Sequence, residues 1–268
     1  MATPIRQLAG LGHQATFMVR AFAAIPLTIR HYRAEVFRLL ADLSWGNGAI
    51  VVGGGMIGVM ALLSAFTGAT VAVEGYNSLD LLGLAPLTGF LSAYGNTREL
   101  APLIAAVAFT SQAGCRITAQ LGAMRISEEI DALESMSIRS LPYLVTTRML
   151  ASFLAIIPLY LFGLTGSYLA TELVLNVAFG QTSGTFDHYF HQFLVPTDIA
   201  LSVLKAVVFV VLSTVVHCYH GFHASGGPEG VGAASGRAIR SSIVVIVLAD
   251  MVLTIVFWGF DPQIRISG

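Results

Sequence analysis

The chain has 268 residues, of which 55% are apolar and only 11% charged, and its mean hydropathy is +0.76. A soluble domain carries about 25% charged residues, so this chain cannot cover a water-facing surface and must present most of it to lipid. A net charge of −1 gives no electrostatic footprint for nucleic acid, and none is expected as a partner.

Met1 to Arg20 has no uninterrupted apolar stretch and no clear cleavage site, so no cleaved leader is expected. Residues 5–26 instead read as an amphipathic helix, with Leu8, Leu11, Ala15, Met18, Phe22 and Ile25 on one face and Pro26 ending it. A second amphipathic stretch carries Tyr32, Val36, Leu39 and Leu43 against Arg30, Arg33 and Arg38. Neither is apolar enough to span. Residues 1–45 are therefore read as an interfacial region, with arginines meeting anionic headgroups, and 46–268 as the membrane domain.

Five spans are expected, near 49–73, 84–114, 149–174, 199–219 and 239–260. The second is long enough to be tilted or broken. A polar segment, 116–139, follows it, and 176–197 reads as a polar and aromatic connection. The fold class is thus all-α integral membrane protein. Arginines precede the first span and recur in 115–148 and 221–240, while 74–83 and 175–198 contain none. The positive-inside rule places the N-terminus in the cytoplasm and the C-terminus outside. Cys115 and Cys218 fall at cytoplasmic span ends, where a disulfide is not expected.

Several features bear on chemistry. Gly53, Gly55 and Gly58 spell GxGxxG, but no strand precedes them. Gly54 and Gly58 also spell GxxxG, which favours close helix packing over nucleotide binding. No GxxxxGK[ST] is present, so ATP, if used, must bind another chain. His217, His220 and His223 form HxxHxxH and could share a metal, although a polar membrane exit is the simpler reading and no metal site is assigned.

Intramembrane charge is more informative. Arg98, Glu99 and Asp250 fall inside expected spans, where an isolated charge costs at least ~2.5–3.5 kcal/mol. They must face a cavity or pair with one another. Lys205, two turns into the fourth span, is expected to snorkel outward. Leu91, Tyr94, Leu100 and Leu103 surround Arg98 and Glu99 with apolar and aromatic wall; were the route one for a lipid, these would face its tail, and Arg98 could meet an anionic headgroup or a carboxylate.

Between the second and third spans, Ser127 is expected to cap a short cytoplasmic helix with Glu128, Glu129 and Asp131 at its start. Ile130, Leu133 and Met136 form an apolar stripe on it, to be buried either in a partner's groove or on the protein's own body.

Two stretches, Asn96-Thr97-Arg98-Glu99-Leu100-Ala101-Pro102-Leu103 and Ala119 through Glu134, with Gly230-Val231-Gly232 further on, resemble the MlaE/YrbE permeases of Mce-type ABC lipid transporters. Glu128-Glu129 stands where the family's EQIDAL signature commonly has Glu-Gln. Gln112 and Gln120 replace an arginine and a glutamate common in the family, and Arg116 appears instead. The pattern is similar to the B-type YrbE subunit of mycobacterial Mce systems. This resemblance implies a heterodimer with an A-type YrbE subunit, a cytoplasmic ABC ATPase holding ATP and Mg, and Mce proteins on the outer side. The cargo would be a lipid or fatty acid, with import across the inner membrane the implied direction. It further implies that Glu128–Met136 couples to the ATPase and that Arg98 and Glu99 lie near the lipid pocket. A membrane-bound metal enzyme using the histidines, or an ion-coupled transporter using Arg98, Glu99 and Asp250, are the alternatives from other classes.

Overall fold

The computed structural model describes the backbone of residues 4–44 and 55–259, with side chains from residue 12 onward. Every regular element among the described residues is helical. Three N-terminal helices, α1 (Pro4–Ala23), α2 (Ile25–His31) and α3 (Arg33–Ser44), precede α4 (Gly55–Asp80). The long helix α5 (Ala85–Ile126) is followed by the short α6 (Glu129–Ser135) and by α7 (Leu141–Phe179). Then come α8 (Ser183–Phe193), α9 (Pro196–Phe222) and α10 (Gly227–Trp258). Helices α4, α5, α7, α9 and α10 are long and apolar enough to cross a bilayer, each having the ~20 residues that ~30 Å of hydrocarbon requires. Over its described residues the protein is an all-α membrane protein with five spans.

The element boundaries differ from expectation in informative ways. Pro26 does not end the first helix but opens α2, in the first turn, where its missing N–H costs nothing. The expected polar segment after the second span begins inside α5, which runs on to Ile126. Arg116 is tolerated there because it pairs with Asp42 and donates to the Asp42 carbonyl at 3.2 Å. The stretch Gly227–Arg240, expected as a loop, is the start of α10, with Pro228 in its first turn. The connection 176–197 contains α8, whose Phe186 and Phe190 are buried against Ala72, Ala93 and Leu175.

The chain forms two compact units. The first comprises Met1–Ala49, Phe109–Ala155 and Val210–Val245, and the second Ile50–Ala108, Ile156–Phe209 and Ile246–Gly268. In the first, Phe17 and Ala21 of α1 are buried with Ile117, Leu121, Ile130, Val145, Met149 and Val215. The Thr146 hydroxyl donates to the Ala21 carbonyl at 3.0 Å, and the Thr28 hydroxyl to Pro142 at 3.2 Å. The α1 face turned toward protein is therefore centred on Phe17 and Ala21, while Phe22, on the face expected at the membrane interface, is 40% exposed.

In the second unit, α4 and α7 meet along small residues. A Cβ on Gly68 would stand 2.1 Å from the Ser167 carbonyl oxygen, and one on Gly163 would stand 2.6 Å from Ser64 Oγ. Thr171 donates to the Gly68 carbonyl at 3.0 Å. Small side chains let two membrane helices approach and exchange such polar contacts. Gly58, expected at a packing seam, is half-buried, and Gly54 lies outside the described residues.

Candidate functional site: a buried charge network and an apolar groove

The first turns of α5 are not regular α-helix. Ser92–Leu100 is π-helical, a form that appears mainly as local insertions at functional sites. Arg98 and Glu99 sit in it. Pro102 follows, and it has no N–H to give to the carbonyl four residues back, that of Arg98. Lys205 Nζ of α9 donates to that oxygen at 2.9 Å.

Lys205 is wholly buried, so the expected outward snorkelling does not occur. Its ammonium also lies 2.8 Å from Glu99 Oε2, 2.7 Å from Asp250 Oδ1 and 2.8 Å from Thr254 Oγ1. Thr254 in turn donates to Glu99 Oε1 at 2.9 Å. Two carboxylates within 3 Å, with hydrogen bonds to Thr254 and the Arg98 carbonyl, offset the cost of burying the ammonium, a cost that a snorkelling lysine avoids.

Arg98 is engaged as fully. Its Nε and Nη2 reach Asp198 Oδ2 at 2.9 and 2.7 Å, and its guanidinium lies 3.9 Å from the centre of the Tyr94 ring. Trp258 Nε1 donates to the other Asp198 oxygen at 2.8 Å. Only 12% of the Arg98 side chain is exposed. Arg98 and Glu99 thus serve two different ion pairs, as their angular separation of about 100° on a helix allows. Arg98, Lys205, Asp198, Glu99 and Asp250 together amount to two cations and three carboxylates.

Asp198, Lys205, Thr254 and Trp258 were not among the expected site residues. A signal for them exists in the spacing. Asp198 and Lys205 are seven apart on α9, two turns on one face, and Asp250, Thr254 and Trp258 repeat every four on α10.

Beside this network, still in the second unit, α4 and α5 enclose a groove of about 510 Å³. Leu91 and Leu100 line it, with Phe66, Phe90 and Ile104, and Glu74 is its titratable group. The other expected path residues are elsewhere. Leu103 packs toward Ala106, Phe209 and Ile246, and Tyr94 stacks on Phe90 while carrying Arg98.

In the first unit, α6 follows Glu128, whose φ of +60° turns the chain sharply. Ser127 does not cap α6. It terminates α5, and its hydroxyl lies 3.0 Å from the Ala123 carbonyl and from Glu129 Oε1. A seven-residue helix is too short to persist unaided. Ile130, 1% exposed, anchors it in the unit's own core with Leu133 packed alongside, and Met136 is 62% exposed. Glu128, Glu129 and Asp131 are exposed, with Asp131 held by Arg125 at 2.7 Å.

The three histidines are turned to different neighbours. His217 is buried against Gly114 with Nδ1 2.7 Å from Thr118 Oγ1, while the His223 ring stands 5.1 Å from that of His13. Burial and the nearby His13 and Arg125 hold His223 below the usual histidine range, so its ring favours the neutral form. Among the described residues, no group of three His, Cys, Asp or Glu side chains is placed to hold a metal.

The chain is similar in sequence to known proteins over most of its length. A probable ABC transporter permease protein of Rickettsia bellii is 29% identical over 75% of this chain and 77% of its own length. One from Rickettsia felis is 28% identical over 91% of both. The protein Trigalactosyldiacylglycerol 1, chloroplastic, of Arabidopsis thaliana is 31% identical over 75% of this chain and 58% of its own. The family model for the permease MlaE matches residues 46–256, which hold the first four spans, all but the last two residues of the fifth, the five charged residues of the network and the groove, and the chain belongs to the MlaE permease family.

Proposed function

We infer that the chain is the membrane subunit of an ATP-driven transporter that moves a lipid or fatty acid across the inner membrane, inward, in an Mce-type system. The observation that carries the lipid cargo is the apolar groove between α4 and α5, in a family one of whose relatives bears the name of a glycolipid. The groove is of the size that small-molecule sites typically have, ~300–1,000 Å³. Its residues Leu91 and Leu100 form the lipid path. Arg98 and Glu99 act from behind it, by fixing how α5, α9 and α10 are held in the second unit.

ATP and Mg bind a separate ATPase chain, which docks on the exposed acids of α6, Glu128 and Glu129, and on Met136. The other partners are an A-type YrbE permease and Mce-domain proteins. The N-terminus faces the cytoplasm and the C-terminus the outer side. The arginine distribution supports this orientation. Arg20, Arg30, Arg33, Arg38, Arg116, Arg125, Arg139, Arg148, Arg237 and Arg240 all belong to the first unit. Among the described residues, the second unit has Arg98, half-buried, and Lys205, wholly buried, both paired with carboxylates.

The test is to isolate the native complex and identify its proteins and lipids together. An ATPase, a second permease and an Mce protein with bound lipid are expected. Transport by the chain without an ATPase, driven by a proton gradient, would replace this reading with ion-coupled transport. Stoichiometric bound metal would replace it with an enzyme.

A further inference from the structure

We propose that the α4–α5 groove selects a lipid whose polar end donates hydrogen bonds and carries no negative charge, an alcohol or an amine, and that Glu74 is the residue that reads it. This rests on the lipid reading above and adds the chemistry of the headgroup.

The polar groups of the groove lie on one helix. Thr67, Thr70, Glu74 and Ser78 recur at three- and four-residue intervals and so share one face of α4. Their hydrogen-bonding capacity is lopsided. The Thr67 hydroxyl is spent on the Leu63 carbonyl at 2.7 Å, and that of Thr70 on Phe66 at 2.9 Å. A hydroxyl whose proton is committed still has lone pairs to offer. Glu74 is exposed, lies in the last two turns of α4 and makes no ion pair among the described residues. Its carboxylate only accepts. Ser78 alone of these four can readily donate.

Cations are missing from the same wall. Among the described residues, no lysine, arginine or histidine lines the groove. In the second unit Arg98 and Lys205 already have carboxylate partners. A phosphate or carboxylate head at this site would face Glu74 without a counter-charge, a like-charge juxtaposition that disfavours it. An alcohol or ammonium would satisfy Glu74 and the threonine lone pairs, while its chain lies along Phe66, Phe90, Leu91 and Leu100.

Photo-crosslinking of the assembled complex in native membranes tests this. The probes are three lipids with one identical diazirine-bearing chain, ending in a hydroxyl, an amine or a carboxylate, at a pH that ionises the last. Labelling of the 66–79 peptide is expected to be about tenfold stronger for the alcohol or the amine than for the carboxylate, a difference of ~1.4 kcal/mol. Whichever of the two leads names the donor. Glu74→Gln should close most of that gap and Glu74→Lys should reverse it, and since Glu74 is exposed both variants should fold. Equal labelling by all three probes, or carboxylate preference in the wild type, would overturn the headgroup inference and leave the lipid path standing. Labelling confined to other parts of the chain, or crosslinking of this peptide to a partner helix, would overturn both.

Discussion

Lys205 donates to the backbone carbonyl of Arg98 across 2.9 Å, replacing the helical N–H that Pro102 cannot supply. A side chain of α9 thus completes the backbone of α5, and the same ammonium neutralises Glu99 and Asp250. The irregular turn of α5 and the charges it displays are one construction.

Lys205→Met is therefore expected to strand two carboxylates and a carbonyl in the membrane. Removing one partner of a buried ion pair costs about 3–5 kcal/mol. The measurement is the yield and thermal unfolding of the chain extracted from membranes. Lys205→Met should be poorly folded, and the combination with Glu99→Gln and Asp250→Asn should recover much of the loss. A single variant as stable as the wild type would refute the coupling between these residues.

Arg98→Ala should likewise lower the amount of folded chain, because Asp198 is left buried and unpaired. Adding Asp198→Ala should cost less than the sum of the two single changes, with an interaction energy of about 1–3 kcal/mol for residues in direct contact. Lipid uptake should then be normalised to assembled complex. If Arg98→Ala assembles normally and loses only uptake, Arg98 contacts cargo and its pairing with Asp198 is secondary.

This reassigns what was legible from the sequence. The five spans and the intramembrane position of Arg98, Glu99 and Asp250 follow from hydropathy and the cost of burying charge. Which charges pair does not follow from cost alone. Asp198 sits at a helix start and Lys205 near a span end, where a charge reaches water cheaply, so neither demanded a partner. Only the packing of α5, α9 and α10 residues within the second unit supplies the partners. The close approach of α4 to α7 was hidden for a related reason. Glycines are abundant in this chain, and the small-residue spacing of Ser64, Gly68 and Ala72 marks a packing face of α4 without naming its partner. What distinguishes Gly68 is the Ser167 carbonyl opposite, a residue about a hundred positions away.

The packing claim can be checked with alanine. Gly68→Ala would place a methyl against a backbone oxygen that cannot swing aside, and overpacking of this kind typically costs ~1–3 kcal/mol or more. Gly166→Ala is the control, since nothing stands within 4 Å of the Cβ it would add. The first variant should lower the unfolding temperature of the extracted chain, and the second should leave it unchanged or slightly raised. Equal behaviour of the two would show that α4 and α7 are not in close contact.

The short helix α6 separates anchoring from docking, and the two can be tested apart. Ile130 is buried in the first unit beside Phe17, Leu121 and Met149. Ile130→Asp puts an unpaired carboxylate into that core and should cost several kcal/mol, so loss of the chain itself is expected rather than selective loss of a partner. Glu128 and Glu129 are exposed and leave the core untouched when changed. Glu128→Lys with Glu129→Lys should leave the chain at wild-type levels while reversing the charge of the surface proposed to meet the ATPase. Met136→Ser removes the exposed apolar group of the same helix without reaching the core. Both variants should reduce the ATPase recovered with the chain, and restoring charge complementarity on the ATPase should return it for the lysine variant only. If ATPase recovery is unaffected by all three exposed changes, α6 is a structural element of the first unit and the docking surface must be sought elsewhere.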